Sequence, residues 1–538
     1  MGHLRPGTCI QASGSQLGDS RNFSADLGRA RHAVCSSVAE TKKKEDREGQ
    51  LNSAKPRTLI LGFDGGDAAI FDAFDMPFYR ELAVKGHEFD LNEDLLSRGW
   101  SEIVTGRQAE YTGGLYFRPL PPAEKRPVLS EKFSLKEMLA DPGTEPIWDM
   151  ANRLGATFGM IGVPTTSPAP KVDGFTVSGG GGGVGKIEGV PDGFCQPPEL
   201  AALLEEMDYQ FDVRMSTMPE KTFPAFIERV ETVIASNVDA LIKLDREIRA
   251  DLNFICLRPT TGLQYLARFD IEDAIASRGE QSHANPNVEL LRRHYAFLDN
   301  EIRRLFEALK PDRFMLTADH GTANYLKRVN INALLVRHSL QSPRAKTASS
   351  AKSVLRKLKA LLPRPVSSRL GKTVRKSLSG LEMNFDAANS QAFGSYHMRG
   401  IYILDAHRFG GPVNAEDVDA LTDRICQLCN DDPVLQAEGI TARPKRRDFS
   451  EASQSWQLPD VELVAPDTVF FVSSGPLIED NPNYRATPHD LTYVHNPHSG
   501  TKGSRPLMLT DTETAALAKG DDPDDLRLVY RLVERIYA

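Results

Sequence analysis

Short runs of apolar residues alternate along the chain with longer segments in which apolar residues recur every three or four positions. The short runs are typical of buried strands, and the periodic segments are typical of amphipathic helices. Strands that alternate with helices favour an α/β fold, in which a mostly parallel central sheet is flanked by helices. The predicted strands are Leu59–Phe63, Ala156–Val163, Leu252–Leu257 and Arg313–Ala318, and the predicted helices are Pro146–Leu154, Ala225–Ala235 and Leu290–Phe306.

Several segments depart from this alternation. The N-terminal segment carries few large apolar side chains and contains the charged run Lys42–Asp46, so it cannot bury enough surface to offset the cost of ordering. Its composition is so unlike the rest that a start codon further downstream is an open alternative. The predicted organisation is a disordered tail over residues 1–56, an α/β domain over 57–510 with a cap insertion at about 165–250 and a basic helical insertion at 336–380, and a C-terminal helix packed on the core within 511–538.

The basic insertion has an unusual charge pattern. Residues 321–381 contain fourteen Lys or Arg and no Asp or Glu, and Val354–Leu362 has the pattern of a basic amphipathic helix. In a chain whose net charge is −8, this pattern predicts a contact between residues 344–376 and an anionic membrane or polyanion. A solvated insertion is the alternative. The sequence holds no specific nucleic-acid-binding motif.

Composition narrows the class of protein. The 538 residues are 40% hydrophobic and 26% charged, which is typical of a globular protein and excludes fibrous and membrane-embedded classes. Six scattered cysteines are too few for a disulfide framework, and we interpret Cys426 and Cys429 as one turn of a helix because no second pair completes a zinc site. No apolar run reaches the roughly 18 residues of a membrane span, and the first thirty residues lack the apolar core of a signal peptide. We therefore expect a cytoplasmic protein.

Two predicted strands end in residues that bind cations. Asp64 follows the first strand, and Asp319 and His320 follow Arg313–Ala318. Ligands of open parallel sheets bind at the carboxyl edge of the strands, and carboxylates with an imidazole are suitable ligands for a divalent ion. For each Asp taken alone, a turn or helix-cap role is the alternative.

Nine short motifs lie in order between Arg57 and about Thr510. They are Leu59–Gly66, Trp100–Gly106, Ile147–Ala151, Gly159–Pro168, Gly174–Gly179, Asp319–Gly321, Arg399–Ile403, Leu458–Val464 and Ser499–Lys502. In content and order they resemble the alkaline phosphatase superfamily, in its type I phosphodiesterase/nucleotide pyrophosphatase branch. The resemblance implies an alkaline-phosphatase-like fold and the cleavage of phosphate esters at two metal ions by a Thr or Ser nucleophile.

The resemblance also implies which metal ligands are present. One metal ion of the family would be held here by Asp64, Asp319 and His320. The Asp, His and His that hold the second ion are replaced, in that order, by Thr261, Tyr265 and Lys502. The sequence therefore predicts one divalent ion (Zn, Mn or Mg), with the Lys502 ammonium in place of the second cation beside a phosphate oxygen. A site with neither metal nor chemistry, in which this lysine pairs with an aspartate, is the alternative.

The nucleophile position is ambiguous. An ungapped match on Trp100–Gly106 places Leu96 there, and a shift of one residue places Ser97 there. Ser97 is thus a predicted nucleophile or metal-bound hydroxyl, with a helix N-cap as the alternative. Three histidines near the C-terminus are interpreted as exposed loop residues, although the last of them is close enough in sequence to Lys502 to enter the site: His489, His495 and His498.

Two functions follow from these observations. The first is a metal-dependent hydrolase or transferase of phosphate esters, of the phosphodiesterase/nucleotide pyrophosphatase type, with Ser97 and Lys502 as catalytic residues. Its substrate would be a small phosphate ester or an anionic polymer. The second is a catalytically inactive member of the superfamily that acts as a binding or scaffolding protein, as the loss of the second metal set suggests.

Overall fold

The computed structural model describes residues 55–119, 128–130, 133–179, 193–213, 222–277, 285–343, 381–382, 385–395, 399–445, 454–484, 498–520 and 525–538. Nearly all of the predicted tail, the basic segment 344–376, His489 and His495 lie outside these residues. The expectations for those parts of the chain therefore stay predictions.

The strands are short and are spread over the whole described chain. They are β1 (Thr58–Phe63), β2 (Gly86–Glu88), β3 (Arg118–Pro119), β4 (Val128–Ser130), β5 (Phe158–Ile161), β6 (Gly174–Val177), β7 (Cys195–Gln196), β8 (Leu252–Leu257), β9 (Arg313–Ala318), β10 (Gly321–Asn324), β11 (Lys327–Val329), β12 (Leu381–Glu382), β13 (Ala392–Gly394), β14 (Gly400–Ile403), β15 (Thr441–Pro444), β16 (Val461–Val464), β17 (Val469–Phe471), β18 (Ile478–Asp480), β19 (Gly500–Gly503) and β20 (Met508–Asp511).

The helices lie mostly between strands of the central sheet. They are α1 (Ala68–Ala73), α2 (Pro77–Lys85), α3 (Gly99–Thr105), α4 (Ala109–Thr112), α5 (Leu135–Met138), α6 (Ile147–Arg153), α7 (Leu200–Glu206), α8 (Phe223–Ile248), α9 (Pro259–Ala276), α10 (Pro286–Leu309), α11 (Ile331–Arg337), α12 (Val418–Asp431), α13 (Pro433–Ala437), α14 (Thr512–Ala516) and α15 (Leu528–Tyr537), with 3₁₀ turns at Ala387–Asn389, Ala415–Asp417 and Ser455–Gln457. The longest helices begin with a proline in the first turn, where its missing N–H has no intrahelical partner to lose.

The central sheet has eight strands in the order β2-β20-β9-β1-β8-β5-β6-β7. Strands β9, β1, β8, β5 and β6 run parallel to one another, whereas β20 and β7 are antiparallel to their neighbours β9 and β6. The mostly parallel central sheet that the sequence predicts is confirmed.

Helices cover both faces of this sheet. On one face, Leu61 and Phe63 of β1 pack in a core with the long helices α8, α9 and α10. On the other face, Ile60 packs with Trp100 of α3 and with the apolar side of α15, which includes Leu532. Burial on both faces explains why β1 is an unbroken apolar run.

A second lobe is built on the four-stranded sheet β13-β14-β16-β15. Helix α12 packs against it, and Cys426 and Cys429 of that helix are free thiols buried among apolar side chains. Both therefore serve as core residues of the lobe.

Within the interval 165–250, the described residues belong to the main layers. Strands β6 and β7 extend the central sheet, and α8 covers it. Among the helices that the structure describes, none is long and apolar enough to cross a membrane.

Candidate active site

The carboxyl edge of the central sheet brings the predicted ligands together. Strand β1 lies between β8 and β9, and Phe63 at its end is in register with Leu257 and Ala318. The residue after each strand therefore projects from the same edge. Those residues are Asp64, Arg258 and Asp319.

Asp64, Asp319 and His320 form one compact cluster. One ligand atom of each lies within 4.8 Å of the others, and His320 Nε2 is 3.8 Å from Asp64 Oδ1 and 3.5 Å from Asp319 Oδ2. The three side chains are at most 12% exposed. Among the described residues, this is the only group of three or more acidic, His or Cys side chains that is arranged to hold a metal ion.

The tautomer of His320 is set by the backbone. Its Nδ1 lies 2.7 Å from the carbonyl oxygen of Gly321, which can only accept, so Nδ1 carries the proton. Burial, and then the charge of Lys502, lowers the pKa of His320 to about 3. The ring is therefore neutral at physiological pH, and the lone pair of Nε2 faces the two carboxylates.

Hydrogen bonds hold the carboxylates in place. The Gly65 N–H donates to Asp319 Oδ1 (3.2 Å), and the Tyr116 hydroxyl donates to Asp319 Oδ2 (3.4 Å). The Trp100 indole N–H donates to Asp64 Oδ2 (3.3 Å). That indole lies over Gly62, where a Cβ would stand 2.6 Å from the ring, so the first strand needs glycine at this position to admit the tryptophan.

The electrostatics of the cluster fit a bound cation. Burial, and then repulsion from Asp319, raises the pKa of Asp64, and burial also raises the pKa of Asp319. Two adjacent buried carboxylates carry charge that the protein compensates only in part, and a cation would offset it. Two carboxylate oxygens and one imidazole nitrogen are a suitable donor set for Zn, Mn or Mg.

The three residues that the resemblance aligns with the second metal set also meet at this site. The Tyr265 ring stacks on His320 (centroids 6.1 Å apart), and its hydroxyl lies 3.4 Å from His320 Nε2 and near the Thr261 hydroxyl. The Lys502 ammonium lies over the Tyr116 ring, 3.5 Å from its centroid, and interacts electrostatically with both aspartates. Burial lowers the pKa of Lys502 to about 8, so it is mostly charged at pH 7.

Ser97 lies in the loop before α3, among carboxylates. Its hydroxyl donates to Asp94 Oδ2 (3.1 Å) and hydrogen-bonds Glu102, while its backbone N–H donates to Asp94 Oδ1 (2.9 Å). In the part of the chain that the structure describes, its hydrogen bonds do not join it to the Asp64, Asp319 and His320 cluster. The role of Ser97 as a nucleophile stays a prediction.

The structure places His498 at the rim of the site. Its ring centroid is 5.8 Å from that of Tyr265, and burial lowers its pKa to about 4. Its interpretation as an exposed loop residue is wrong, because β19 begins two residues later and carries it against α9.

Two buried glutamates beside the site were missed from the sequence. Glu93 and Glu102 are 5% and 6% exposed, and one carboxyl oxygen of Glu93 has no hydrogen-bond partner among the described residues. Burial, and then Glu102, raises the pKa of Glu93 well above its usual value, and burial, and then Asp94, raises the pKa of Glu102 to about 8. The sequence carried no clear signal for their burial, because Ser97 and Arg98 between them give the stretch a polar character.

The pH dependence of stability tests the burial of Glu102. Its folded pKa of about 8 exceeds its ordinary value of 4.5, so between these pH values the folded state binds more protons than the unfolded state. This contribution to the free energy of unfolding is complete below pH 4.5 and is lost as pH rises through 8. Because Gln mimics the protonated acid, Glu102→Gln should match the wild type at about pH 4 and exceed it by roughly 2 kcal/mol or more at about pH 9.

Urea unfolding at the two pH values measures the effect. The matched control is Glu199→Gln on an exposed glutamate, which should change the free energy of unfolding by less than about 0.5 kcal/mol at either pH. A Glu102→Gln effect of equal size at the acidic and the alkaline pH would contradict the assignment.

Solved structures of other proteins are similar to this chain over most of its length. Phosphonoacetate hydrolase from Sinorhizobium meliloti 1021, solved with phosphonoacetate, is 13% identical, with 90% of this chain and 96% of that chain covered and a TM-score of 0.48. Murine ectonucleotide pyrophosphatase/phosphodiesterase 5 is also 13% identical, with 85% and 88% covered and a TM-score of 0.40, and an inactive variant of that protein was solved in complex with AMP. None of the curated proteins compared matches this chain significantly.

The family model gives the decisive match. The model of type I phosphodiesterase/nucleotide pyrophosphatase matches residues 58–392, which include β1, β8, β9 and all three residues of the cluster. The chain therefore belongs to the type I phosphodiesterase/nucleotide pyrophosphatase family, a family of phosphoric ester hydrolases.

Proposed function

We propose that this protein hydrolyses phosphate esters at a centre that holds one divalent ion instead of two. The observation that carries the proposal is the intact cluster of Asp64, Asp319 and His320 beside a lysine where the second set of ligands would be. If the protein had lost its activity, we would not expect one complete set of metal ligands to be preserved. Nor would we expect a buried lysine in place of the other set.

Asp64, Asp319 and the Nε2 atom of His320 would hold the ion. When bound, the ion polarises a phosphoryl oxygen and lowers the pKa of an attacking hydroxyl. The protein contributes the orientation of these ligands, since Trp100, Gly65 and Tyr116 fix the carboxylates through hydrogen bonds.

Lys502 supplies a fixed positive charge on the other side of the phosphoryl group. Its ammonium interacts electrostatically with Asp319 and Asp64 and packs on Tyr116, so it is held at the site before substrate arrives. A preorganised charge in a buried site stabilises the negative oxygens of the transition state more than water does.

Hydrolysis requires one P–O bond to form and one to break. In direct attack, the oxygen of water bonds to phosphorus, the ester P–O bond breaks, and the proton released by the water goes to the departing oxygen. In the two-step course, Ser97 Oγ bonds to phosphorus as the ester P–O bond breaks, and the serine proton goes to the departing oxygen. Water then forms a new P–O bond as the bond between phosphorus and Ser97 Oγ breaks, and a proton of the water returns to the serine. Because the hydrogen bonds of Ser97 among the described residues do not reach the cluster of predicted metal ligands, we favour direct attack by water.

Replacement of Lys502 tests the role of its charge. Lys502→Met removes the ammonium and keeps a side chain of similar length, so we expect kcat on 4-nitrophenyl phosphodiesters to fall by about 10²- to 10³-fold. The metal-loaded variant should stay folded, because the bound ion would still offset the charge of Asp64 and Asp319. The assay is steady-state hydrolysis with Zn, Mn or Mg, accompanied by thermal unfolding.

Lys243→Met is the matched control, because Lys243 is 46% exposed on α8 and pairs only with Glu247 among the described residues. It should leave kcat within about twofold of the wild type. A folded Lys502→Met variant with unchanged kcat would contradict the role of this lysine.

A folded, metal-loaded wild type without activity on diesters, monoesters or phosphonates would favour the inactive binding protein.

A further inference from the structure

Arg258 occupies a position at the site that the proposed function does not use. It is the first residue after β8, and the residue before it, Leu257, is in register with Phe63 at the end of β1. Arg258 and Asp64 therefore leave the sheet side by side. The charge of Arg258 counteracts part of the rise in the pKa of Asp64, so the guanidinium lies within electrostatic reach of the cluster.

The guanidinium is anchored on one side. Arg258 Nη1 donates to Asp212 Oδ2 at 2.5 Å, and the two side chains are 22% and 9% exposed. This is the one hydrogen bond or ion pair that the structure gives the guanidinium among the described residues. A guanidinium has five N–H donors, so one contact at Nη1 leaves donors for a second partner.

The geometry of this pair favours a ligand over a purely structural role. A guanidinium that only ties two segments together gains most from a bidentate pair, in which both of its nitrogens face both carboxylate oxygens. Here one nitrogen contacts Asp212, and Oδ1 of that carboxylate is buried without a hydrogen-bond partner among the described residues. Among the described residues, Asp212 thus orients the arginine and engages only one of its donor nitrogens.

Two positive groups then lie at the site in addition to any bound ion. A phosphodiester carries one negative charge on its reacting phosphoryl group, which Lys502 and the ion would take. Arg258 has no role in binding that charge, and the planar donors of arginine suit carboxylates and phosphates.

We propose that Arg258, oriented by Asp212, is an anion-binding subsite that selects phosphate esters with a second anionic group on the retained alcohol. The inference rests on the proposed function, which supplies the phosphoryl position beside Asp64. It narrows the substrate class to phosphate esters with a carboxylate or a second phosphate near the reacting phosphorus.

A matched pair of substrates tests the subsite. Both are 4-nitrophenyl phosphodiesters with the same leaving group, and the second alcohol is either propanol or 3-hydroxypropanoate, which adds one carboxylate. We expect Arg258→Met to lower kcat/KM for the carboxylate ester by about 10- to 100-fold, mainly through KM, and to change the propyl ester by less than about threefold. Arg258→Lys should restore part of the preference.

The controls separate binding from folding. Arg443→Met replaces an arginine of the second lobe that is 65% exposed, and it should leave both substrates unchanged. Thermal unfolding of each variant shows whether loss of the ion pair between Arg258 and Asp212 lowers stability. If Arg258→Met lowers kcat/KM equally for both esters, or for neither, the proposal of an anion-binding subsite is wrong.

A binding measurement keeps this test apart from the test of the proposed function. If the wild type hydrolyses neither ester, the proposed function fails. Calorimetric titration with inorganic pyrophosphate and inorganic phosphate then shows whether the anion-binding subsite exists. The wild type should then bind pyrophosphate about tenfold more tightly than phosphate, and Arg258→Met should abolish the difference. Equal affinities in the wild type would overturn the inference.

Discussion

Asp319→Asn is expected to lower kcat/KM for phosphate esters by about 10³-fold or more, because it removes one anionic ligand from the proposed centre. Asn keeps the size of the side chain, can still accept the hydrogen bond from the Gly65 N–H, and can donate from its NH2 group to the Tyr116 hydroxyl oxygen. Burial raises the pKa of Asp319, so the loss of its charge should not lower stability. The expected result is a folded protein with little activity.

Steady-state kinetics and thermal unfolding of the same preparations measure the effect. Asp239→Asn is the matched control, since Asp239 of α8 is 50% exposed and pairs with Arg304 of α10. It should leave kcat/KM within about twofold of the wild type. An Asp319→Asn variant that keeps more than a third of wild-type activity would show that this carboxylate is not needed for the reaction.

The second large effect is expected on stability, in the second lobe. Arg408 is 2% exposed and donates to two buried carboxylates, through Nε to Asp405 (2.5 Å) and through Nη2 to Asp460 (2.6 Å). It also donates to the carbonyl oxygens of Ile403 and Leu458. Arg408→Met removes the buried guanidinium that offsets the charge of both carboxylates, which should lower the free energy of unfolding by about 3–5 kcal/mol.

Urea unfolding of the full chain, followed by circular dichroism, checks this expectation. The same substitution at Arg443 is the control, because that arginine is 65% exposed and its partner Glu462 also pairs with Lys445. Its loss should cost less than about 1 kcal/mol. If both variants lose equally little, the cluster around Arg408 does not stabilise the lobe.

The core of the site could be predicted from the sequence because it depends on local pattern. The apolar run before Asp64 and the run before Asp319 each define a buried strand and its end. Parallel pairing of β1 with β9 then places both aspartates and His320 at one edge. The prediction of these three residues required no tertiary contact other than the parallel pairing of the strands.

The surroundings of the cluster could not be predicted in the same way. Tyr116 lies in a loop without periodicity, and its contacts with Asp319 and Lys502 join residues that are far apart in sequence. Arg258 looks like an ordinary charged residue before a helix until the register of β8 with β1 is known. Such contacts depend on tertiary packing, which the local pattern does not encode.

Helix limits show a similar effect. The apolar period predicted a helix over Ala225–Ala235, whereas α8 continues to Ile248. The polar pair Ser236 and Asn237 interrupts the apolar pattern, yet Asn237 is only 3% exposed. Its burial is tolerated because its side chain accepts a hydrogen bond from the Tyr209 hydroxyl and donates one to the Val233 carbonyl. A helix can therefore continue through a buried polar residue whose hydrogen bonds are satisfied, although the apolar period alone predicts that the helix ends there.

The metal content of the purified protein tests the central claim most directly. Elemental analysis after loading with Zn, Mn or Mg and removal of excess metal should give about one ion per chain for the wild type and none for Asp319→Ala or His320→Ala. Lys502→Met should retain its ion, because Lys502 is not a ligand. Two ions per wild-type chain, or one ion that survives both ligand substitutions, would contradict a single-ion centre at Asp64, Asp319 and His320.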